Sequence, residues 1–381
     1  MLYLDNSATT KPYREVIQSF INVTDQFFAN PSSLHKLGSD AESLLTKARE
    51  QVAQLLGVKQ QEIIFTSGGT EGNNLAIKGA ALANQHKGKH LITTSIEHPS
   101  VLESFKQLEQ EFGFEVTYLP VDEYGVVSCE RMKRELRDDT ILVSIMHVNN
   151  EVGTIQPIED IGGLLESYPQ TLFHVDHIQG ITKVPLDFYR AKIDLCTISG
   201  HKFHGLNGTG ALFVKEGVKI LPLFSGGAQE NQLRSGTESL AGNVALAKAL
   251  RMSVDDSKGN LPRLKQLQRE LITELSNIDG VHVNTPLDYA APHIVNFSVP
   301  AIKAEVLVHY LEEHQIYVST TSACSSRRKS ISNTLIQMNK QENIAKSAIR
   351  VSLSFEQKEE IISPFITTLS TGIKKLSKVM R

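Results

Sequence analysis

Seven short, β-branched apolar runs, "EIIFTS", "HLITTSI", "EVTYLPV", "TILVSIMHV", "TLFHVD", "DLCTIS" and "GALFVK", follow one another with helix-length stretches between them. Strands separated in this way return to one sheet by crossover helices. The alternation therefore implies an α/β chain with a mostly parallel, doubly wound sheet and helices on both faces. Ahead of it, Ala41, Leu44, Leu45, Ala48, Val52, Leu55 and Leu56 recur at the spacing of one helical face, and Gly57 closes that helix. Downstream of "SVDDSKGN" the rhythm changes to a long charged helix, "LPRLKQLQRELITELSNI", then "HIVNFSVP", "AEVLVHYLEEH", "YVST", "AIRVSLS" and a closing helix. This reads as a smaller α+β domain, with the polar stretch as a boundary or helix junction. The expected organisation is an N-terminal segment 1–14 packing with the small domain, a large domain 15–255 and a small domain 256–381.

A chain of 381 residues with 40% hydrophobic residues can bury two cores, and a formal net charge of −3 gives no global field that would draw it to nucleic acid or a membrane. The start "MLYLDNSATTKP" lacks the pattern of a secretion signal, and no long apolar run appears, so a cytoplasmic location is expected. Cys129, Cys196 and Cys324 are odd in number and far apart, which supports neither a disulfide framework nor a zinc ribbon.

In doubly wound sheets ligands gather at the carboxyl ends of the strands, and the chemically capable residues here stand at those ends. "EIIFTS" runs into Gly68, Gly69 and Thr70 and then a helix, an arrangement that suits a phosphate; a tight strand-to-helix turn explains it equally well. His98 ends a strand just before Pro99, a place where histidines are more often structural than catalytic. Asp176 closes "TLFHVD", where a carboxylate is costly to bury unless a cation or a cap meets it. Lys202 stands between His201 and His204 in "ISGHKFHG". A metal pair would want further ligands and i,i+4 spacing; a solvated turn lysine is the plainer reading. A lysine for a Schiff base, an acid for a ring nitrogen and a phosphate cup with Ser199 and His201 are together what pyridoxal phosphate requires.

At this point the chain resembles a family, the pyridoxal-phosphate cysteine desulfurases of the NifS/IscS type within the fold-type I, class V aminotransferases. The resemblance spans nearly the whole chain and is carried in order by "YLDNSATT", "NPSSLH", "TSGGTEGNN", "EHPSV", "HVNNEVGTIQPI", "HVDHIQG", "SGHKFHG", "LRSGTES", "TSACSS" and "IRVSLS". It implies that Lys202 bonds the cofactor, Asp176 pairs with its ring nitrogen, His98 stacks on the ring, and Gln179 and Asn150 meet its phenolic oxygen side. It gives the phosphate to Gly69, Thr70, Ser199 and His201, with Thr237 reaching the phosphate of the partner in a homodimer. Arg350, with Asn30 nearby, would hold the carboxylate of the substrate L-cysteine, and Cys324 would carry the sulfur as a persulfide. His98 would carry protons in that step.

The residues leave Cys196 in an apolar strand and Cys129 at the start of a charged helix, both most simply structural. Cys324 lies in "STTSACSSRRK", which reads as a surface loop or a reactive thiol, and the resemblance favours the thiol. Three departures stand out: His177 where a small residue is commoner, turned by strand alternation away from the face of Asp176 and Ile178; "HGLNG" after the lysine; and a basic "SSRRKSISN" after the cysteine. The expected function is conversion of L-cysteine to L-alanine, with sulfur passed to an acceptor protein, an iron-sulfur scaffold or a tRNA-thiolating enzyme. Selenocysteine lyase, another fold-type I activity such as an aminotransferase, and a non-catalytic subunit binding a sulfur-transfer partner are the alternatives.

Overall fold

The computed structural model describes residues 1–320 and 331–379. In chain order the elements up to the sheet's last strand are β1 (Leu2–Tyr3), α1 (Arg14–Gln26), α2 (Lys36–Leu56), β2 (Ile63–Thr66), α3 (Gly69–Asn84), β3 (His90–Thr94), α4 (Pro99–Phe112), β4 (Glu115–Leu119), α5 (Cys129–Glu135), β5 (Thr140–Met146), α6 (Ile158–Leu165), β6 (Leu172–Asp176), β7 (Leu195–Ser199) and β8 (Gly210–Val214). The apolar runs of the sequence are the seven strands of one sheet, in the order β2-β8-β7-β6-β5-β3-β4. From β4 to β7 the neighbours are parallel, while β8 runs antiparallel to both β7 and β2.

Strands β3, β5, β7 and β8 are buried along their whole length, which explains why they read as continuous apolar runs and not as alternating ones. Their side chains still alternate between two layers. Ile63 and Phe65 face a core built with α1, α2 and the helix that follows β8, whereas Ile64 faces the layer of α3 and α4 with Leu75, Ile77, Val101 and Phe105.

After the sheet come α7 (Leu240–Ser276), β9 (His282–Val283), β10 (Ile294–Ser298), α8 (Ala304–Glu313), β11 (Ile316–Tyr317), β12 (Ser319–Thr320), α9 (Asn333–Gln337), α10 (Glu342–Lys346), β13 (Ala348–Ser352) and α11 (Ile362–Val379). A four-stranded antiparallel sheet, β12-β13-β10-β9, packs with α8 and α11 around Val295, Phe297, Leu307, Val351 and Phe365. The stretch "SVDDSKGN" stands at the boundary between the two cores but is no helix junction: it lies inside α7, a helix of 37 residues that spans about 55 Å. Leu246 and Leu250 on this helix belong to the first core, Leu264 and Leu271 to the second. The middle is polar because it bridges the space between them. The division into a large and a small domain at 255/256, which we propose, therefore cuts a helix.

The N-terminus joins the second core. β1 pairs in parallel with β11, and Leu4 is buried with the α8 and α11 residues. Past Leu4 the chain crosses to the first core. The Asn6 side chain and the Ser7 N–H donate to Ser352 of β13, and the Thr10 N–H and hydroxyl donate to the His201 carbonyl.

Candidate active site

A cavity of about 240 Å³ opens at the carboxyl ends of the parallel strands, between the large sheet and β13. Five strand ends deliver residues to it: Gly69 and Thr70 after β2, His98 and Ser100 after β3, Asn150 after β5, Asp176, Ile178 and Gln179 at β6, and Ser199, His201 and Lys202 at β7. Ser7 and Ala8 close one side, and Arg350 enters from β13.

The β2–α3 turn is glycine for steric reasons. Gly68 sits at φ 144°, a conformation that side chains rarely adopt, and a Cβ on Gly69 would come within 2.2 Å of Ile178 Cδ1. Close approach is what lets the free N–H groups at the start of α3 face the cavity. Ser199 Oγ, beside Gly68, is buried and has no hydrogen-bond partner among the described residues. A helix N-terminus, a glycine turn and an uncommitted hydroxyl make a cup for an anion.

Asp176 is buried at the bottom. Its Oδ2 accepts from Asn73 Nδ2 at 2.8 Å and its Oδ1 from the Ile178 N–H at 3.0 Å. Burial raises its pKa, opposed by His98, these two hydrogen bonds and Lys202. A carboxylate so placed gains from a protonated ring nitrogen. His98 is the N-cap of α4, and burial, aided by Lys202 and opposed by Asp176, holds its ring below the usual histidine range. The Lys202 amine donates to the carbonyls of Ser7 (2.5 Å) and Ala8 (2.8 Å), at the cavity wall. From the buried side Lys183 donates to the Lys202 carbonyl at 2.7 Å, and burial plus repulsion from Lys202 push the Lys183 amine down to about 7.

The other two histidines of the lysine motif part company. His201 lines the cavity, its pKa lowered to about 4 chiefly by burial and next by Lys202. His204, at φ 62°, turns away: its Nδ1–H donates to the Lys11 carbonyl and its ring stacks on Tyr13 with centroids 4.4 Å apart. The two imidazoles do not converge on a common metal position.

Arg350 is buried on β13. One Nη donates to the Asn150 carbonyl at 2.8 Å, the other pairs with Asp5 at 3.0 Å, and Nε has no partner among the described residues. The guanidinium is thus aimed by two fixed oxygens while keeping donors for a carboxylate. Gln179 donates to the Ser7 carbonyl and so presents its own side chain at the cavity edge.

Ten of the residues named from the sequence meet in this cavity: Gly69, Thr70, His98, Asn150, Asp176, Gln179, Ser199, His201, Lys202 and Arg350. Asn30 and Thr237 do not; both are exposed and outside the lining. Cys324 lies outside the described residues. Cys196 is buried in β7 and Cys129 half-buried at the start of α5, and burial raises both thiols. His177 does turn from the cavity, and its Nδ1 lies 2.8 Å from His147 Nδ1, an arrangement that requires one ring to donate and the other to accept. Sequence reasoning missed Asn73, Ser100, Asp5 and Lys183. The only trace of the first two was their place inside "TSGGTEGNN" and "EHPSV".

The family description Aminotransferase class-V matches residues 2–365. The chain belongs to this family, in its NifS/IscS branch. It is 47% identical over its whole length to a protein named NifS/IcsS protein homolog from Lactobacillus delbrueckii subsp. bulgaricus, covering 99% of that protein. It is 40% identical to a cysteine desulfurase IscS of Dictyoglomus turgidum over 99% of this chain and 96% of the relative. A solved structure of a NifS-like protein superposes with a TM-score of 0.92 at 38% identity, over 98% of this chain and 99% of that one. Another, described as SspA in complex with cysteine, gives a TM-score of 0.81 at 34% identity, over 93% of this chain and 99% of the other. These likenesses make the fold that of the class V aminotransferases. The glycine and helix cup, the buried Asp176 and the cavity amine of Lys202 fit the cofactor of such enzymes, pyridoxal phosphate.

Proposed function

We propose that the protein is a pyridoxal-phosphate-dependent cysteine desulfurase that converts L-cysteine to L-alanine and takes the sulfur on Cys324. The observation that carries the reading is the meeting, in one cavity, of an amine and a buried carboxylate from the neighbouring strands β7 and β6 with a buried guanidinium from the distant β13. The related SspA structure is described as in complex with cysteine, and cysteine desulfurase is the name of the IscS relatives.

When bound, pyridoxal phosphate supplies an electrophilic carbon for amines and an electron sink for the substrate Cα–H bond. The protein's residues do the rest. Gly69, Thr70, Ser199 and His201 would bind the phosphate, and Asp176 would hold a proton on the ring nitrogen. Lys202 would hold the group through its amine, and its Nζ would take the Cα proton of the substrate. Arg350 orients the substrate through its carboxylate, helped by Asn150; Asn30 belongs to the same binding reading. His98, in the cavity wall, would cover the ring face. The sulfur passes to Cys324 so that L-cysteine and one thiol become L-alanine and one persulfide, a balanced exchange with no external oxidant.

In this reading the functional unit is a homodimer in which the exposed Thr237 reaches the partner's phosphate. An acceptor protein, an iron-sulfur scaffold or a tRNA-thiolating enzyme, receives the sulfur. None of the described helices is long and apolar enough to cross a membrane, and we place the enzyme in the cytoplasm.

The test is a cysteine pulse followed by alanine assay and mass mapping. Alanine should appear with a sulfur added at Cys324 and none at Cys129 or Cys196. The visible band of the protein should vanish on borohydride treatment and be missing in Lys202→Ala. Alanine production that survives Cys324→Ser, or a borohydride-insensitive protein, refutes the proposal; turnover of selenocysteine but not cysteine assigns the lyase instead.

A further inference from the structure

Behind the cavity a hydrogen-bonded chain ties two of its members together. Asn73, buried in the second turn of α3, donates twice through one nitrogen: Nδ2 lies 2.8 Å from Asp176 Oδ2 and 2.9 Å from Ser100 Oγ. The carboxylate sets the direction of the amide, because the reversed amide would place Oδ1 against Oδ2. Ser100 Oγ, accepting from Asn73, lies 2.8 Å from His98 Nδ1. The Ser100 backbone N–H, which cannot reorient, points at the same nitrogen from 3.1 Å. A protonated Nδ1 would confront that N–H head on. Nδ1 must therefore accept, the hydroxyl proton completes the pair of donors, and the proton of the neutral ring sits on Nε2.

We propose that Asn73 and Ser100 are positioning residues that lock His98 as its Nε2–H tautomer and couple its ring to the Asp176 carboxylate, so that His98 meets cofactor and substrate as a hydrogen-bond donor. This rests on the functional reading above, which places His98 over the cofactor ring and Asp176 at its nitrogen. The lock has a consequence for the chemistry. In the resting enzyme His98 does not serve as a base at Nε2, because that nitrogen already holds the proton, and its one basic nitrogen is turned into the protein. Removal of the Cα proton is left to Lys202.

The groups that face His98 are Asp176, Lys202 and His201. Asp176 favours an imidazolium; Lys202 and burial oppose it. The two donors on Nδ1 act with burial, since gaining a proton there costs both hydrogen bonds. Asn73 also bears on the acid: it is one of the groups that favour the ionised form of Asp176. One amide thus touches the carboxylate directly and the imidazole through Ser100.

Selective ¹⁵N-histidine labelling reads the tautomer directly, on the apoprotein and on the cofactor-loaded protein, with His98→Gln identifying the resonances. The expected wild-type signature is an accepting Nδ1 and a protonated Nε2 at neutral pH. Ser100→Ala deletes one oxygen from the chain, and Asn73→Ala removes the link while circular dichroism checks the fold. In Ser100→Ala, which keeps the backbone N–H but removes the hydroxyl donor, the His98 Nδ1 resonance should move toward that of a more weakly hydrogen-bonded acceptor, and the pH profile of kcat should move while KM for cysteine stays within about twofold and kcat falls about tenfold, the worth of one orienting hydrogen bond. Ser100→Thr, which keeps the hydroxyl, should restore the wild-type ring signature. An unchanged His98 signature in Ser100→Ala overturns the proposal, as does a loss of kcat with an unmoved pH profile, which would make the chain a packing feature. A wild-type protein with no borohydride-sensitive band would instead refute the functional reading.

Discussion

Replacing Arg350 by alanine tests the substrate end of the cavity. The side chain is 2% exposed, and two of its donors are committed to Asn150 and Asp5. Nε and the remaining Nη hydrogens are left for a carboxylate, enough for a two-pronged grip. Charge-assisted hydrogen bonds contribute about 1.5–3 kcal/mol each, so losing two removes about 3 kcal/mol or more, at least about 100-fold in cysteine affinity. The cost to the fold should be smaller, because the Asp5 side chain left behind is 20% exposed and keeps access to water. Binding is read by titrating the visible band with cysteine, cofactor content by the band before substrate is added, and stability by thermal melting. Arg350→Lys should recover about tenfold of the lost affinity, since a point charge reaches one oxygen where the planar fork reaches two. Cysteine affinity within about threefold of wild type in the alanine variant would refute the assignment. Loss of cofactor with unaltered cysteine binding would move Arg350 to the cofactor instead.

Glu230→Gln should lower stability by about 3–5 kcal/mol by urea unfolding, because it breaks a buried two-pronged pair with Arg49 (2.6 and 2.7 Å) and weakens the bond from the Phe65 N–H. Glu230, Asn231 and Gln232 all have positive φ, so the same variant should relax this turn and speed hydrogen exchange there; unchanged exchange would show that the pair does not hold the turn. Glu97 is buried with its pKa raised to about 8 by desolvation. A raised acid contributes stability that is complete below its unfolded value and is lost as pH rises through the folded one, by up to about 1.4 kcal/mol per pH unit. Glu97→Gln should therefore compare more favourably with wild type at pH 9 than at pH 5 in thermal melts, and the opposite trend would contradict the protonated form. Gly162→Ala should destabilise by about 1–3 kcal/mol, because its Cβ would fall 1.9 Å from the Ala191 carbonyl oxygen; an unshifted melting temperature would show that the 188–193 turn yields freely.

The apolar runs and the residues at their ends were legible because both are local properties. A buried parallel strand needs an unbroken apolar stretch, and its end is the next residue along, so Asp176 and Lys202 could be placed at strand ends from the letters alone. Strand order is a different matter. That β8 inserts antiparallel between β7 and β2 depends on how distant segments pair, and its apolar pattern is the same in either direction. The stretch "SVDDSKGN" was legible as a boundary but not as a continuous helix: polar, small residues fit a junction as well as a helix crossing between two cores, where exposure comes from position and not from lost hydrogen bonding. The chain Asp176–Asn73–Ser100–His98 joins residues 103 and 27 positions apart, and Arg350 meets Asp5 across 345. Hydrogen bonds of that separation leave no periodic trace in sequence, because direction and distance between their partners exist only once the sheet, its helices and the second core have packed against one another.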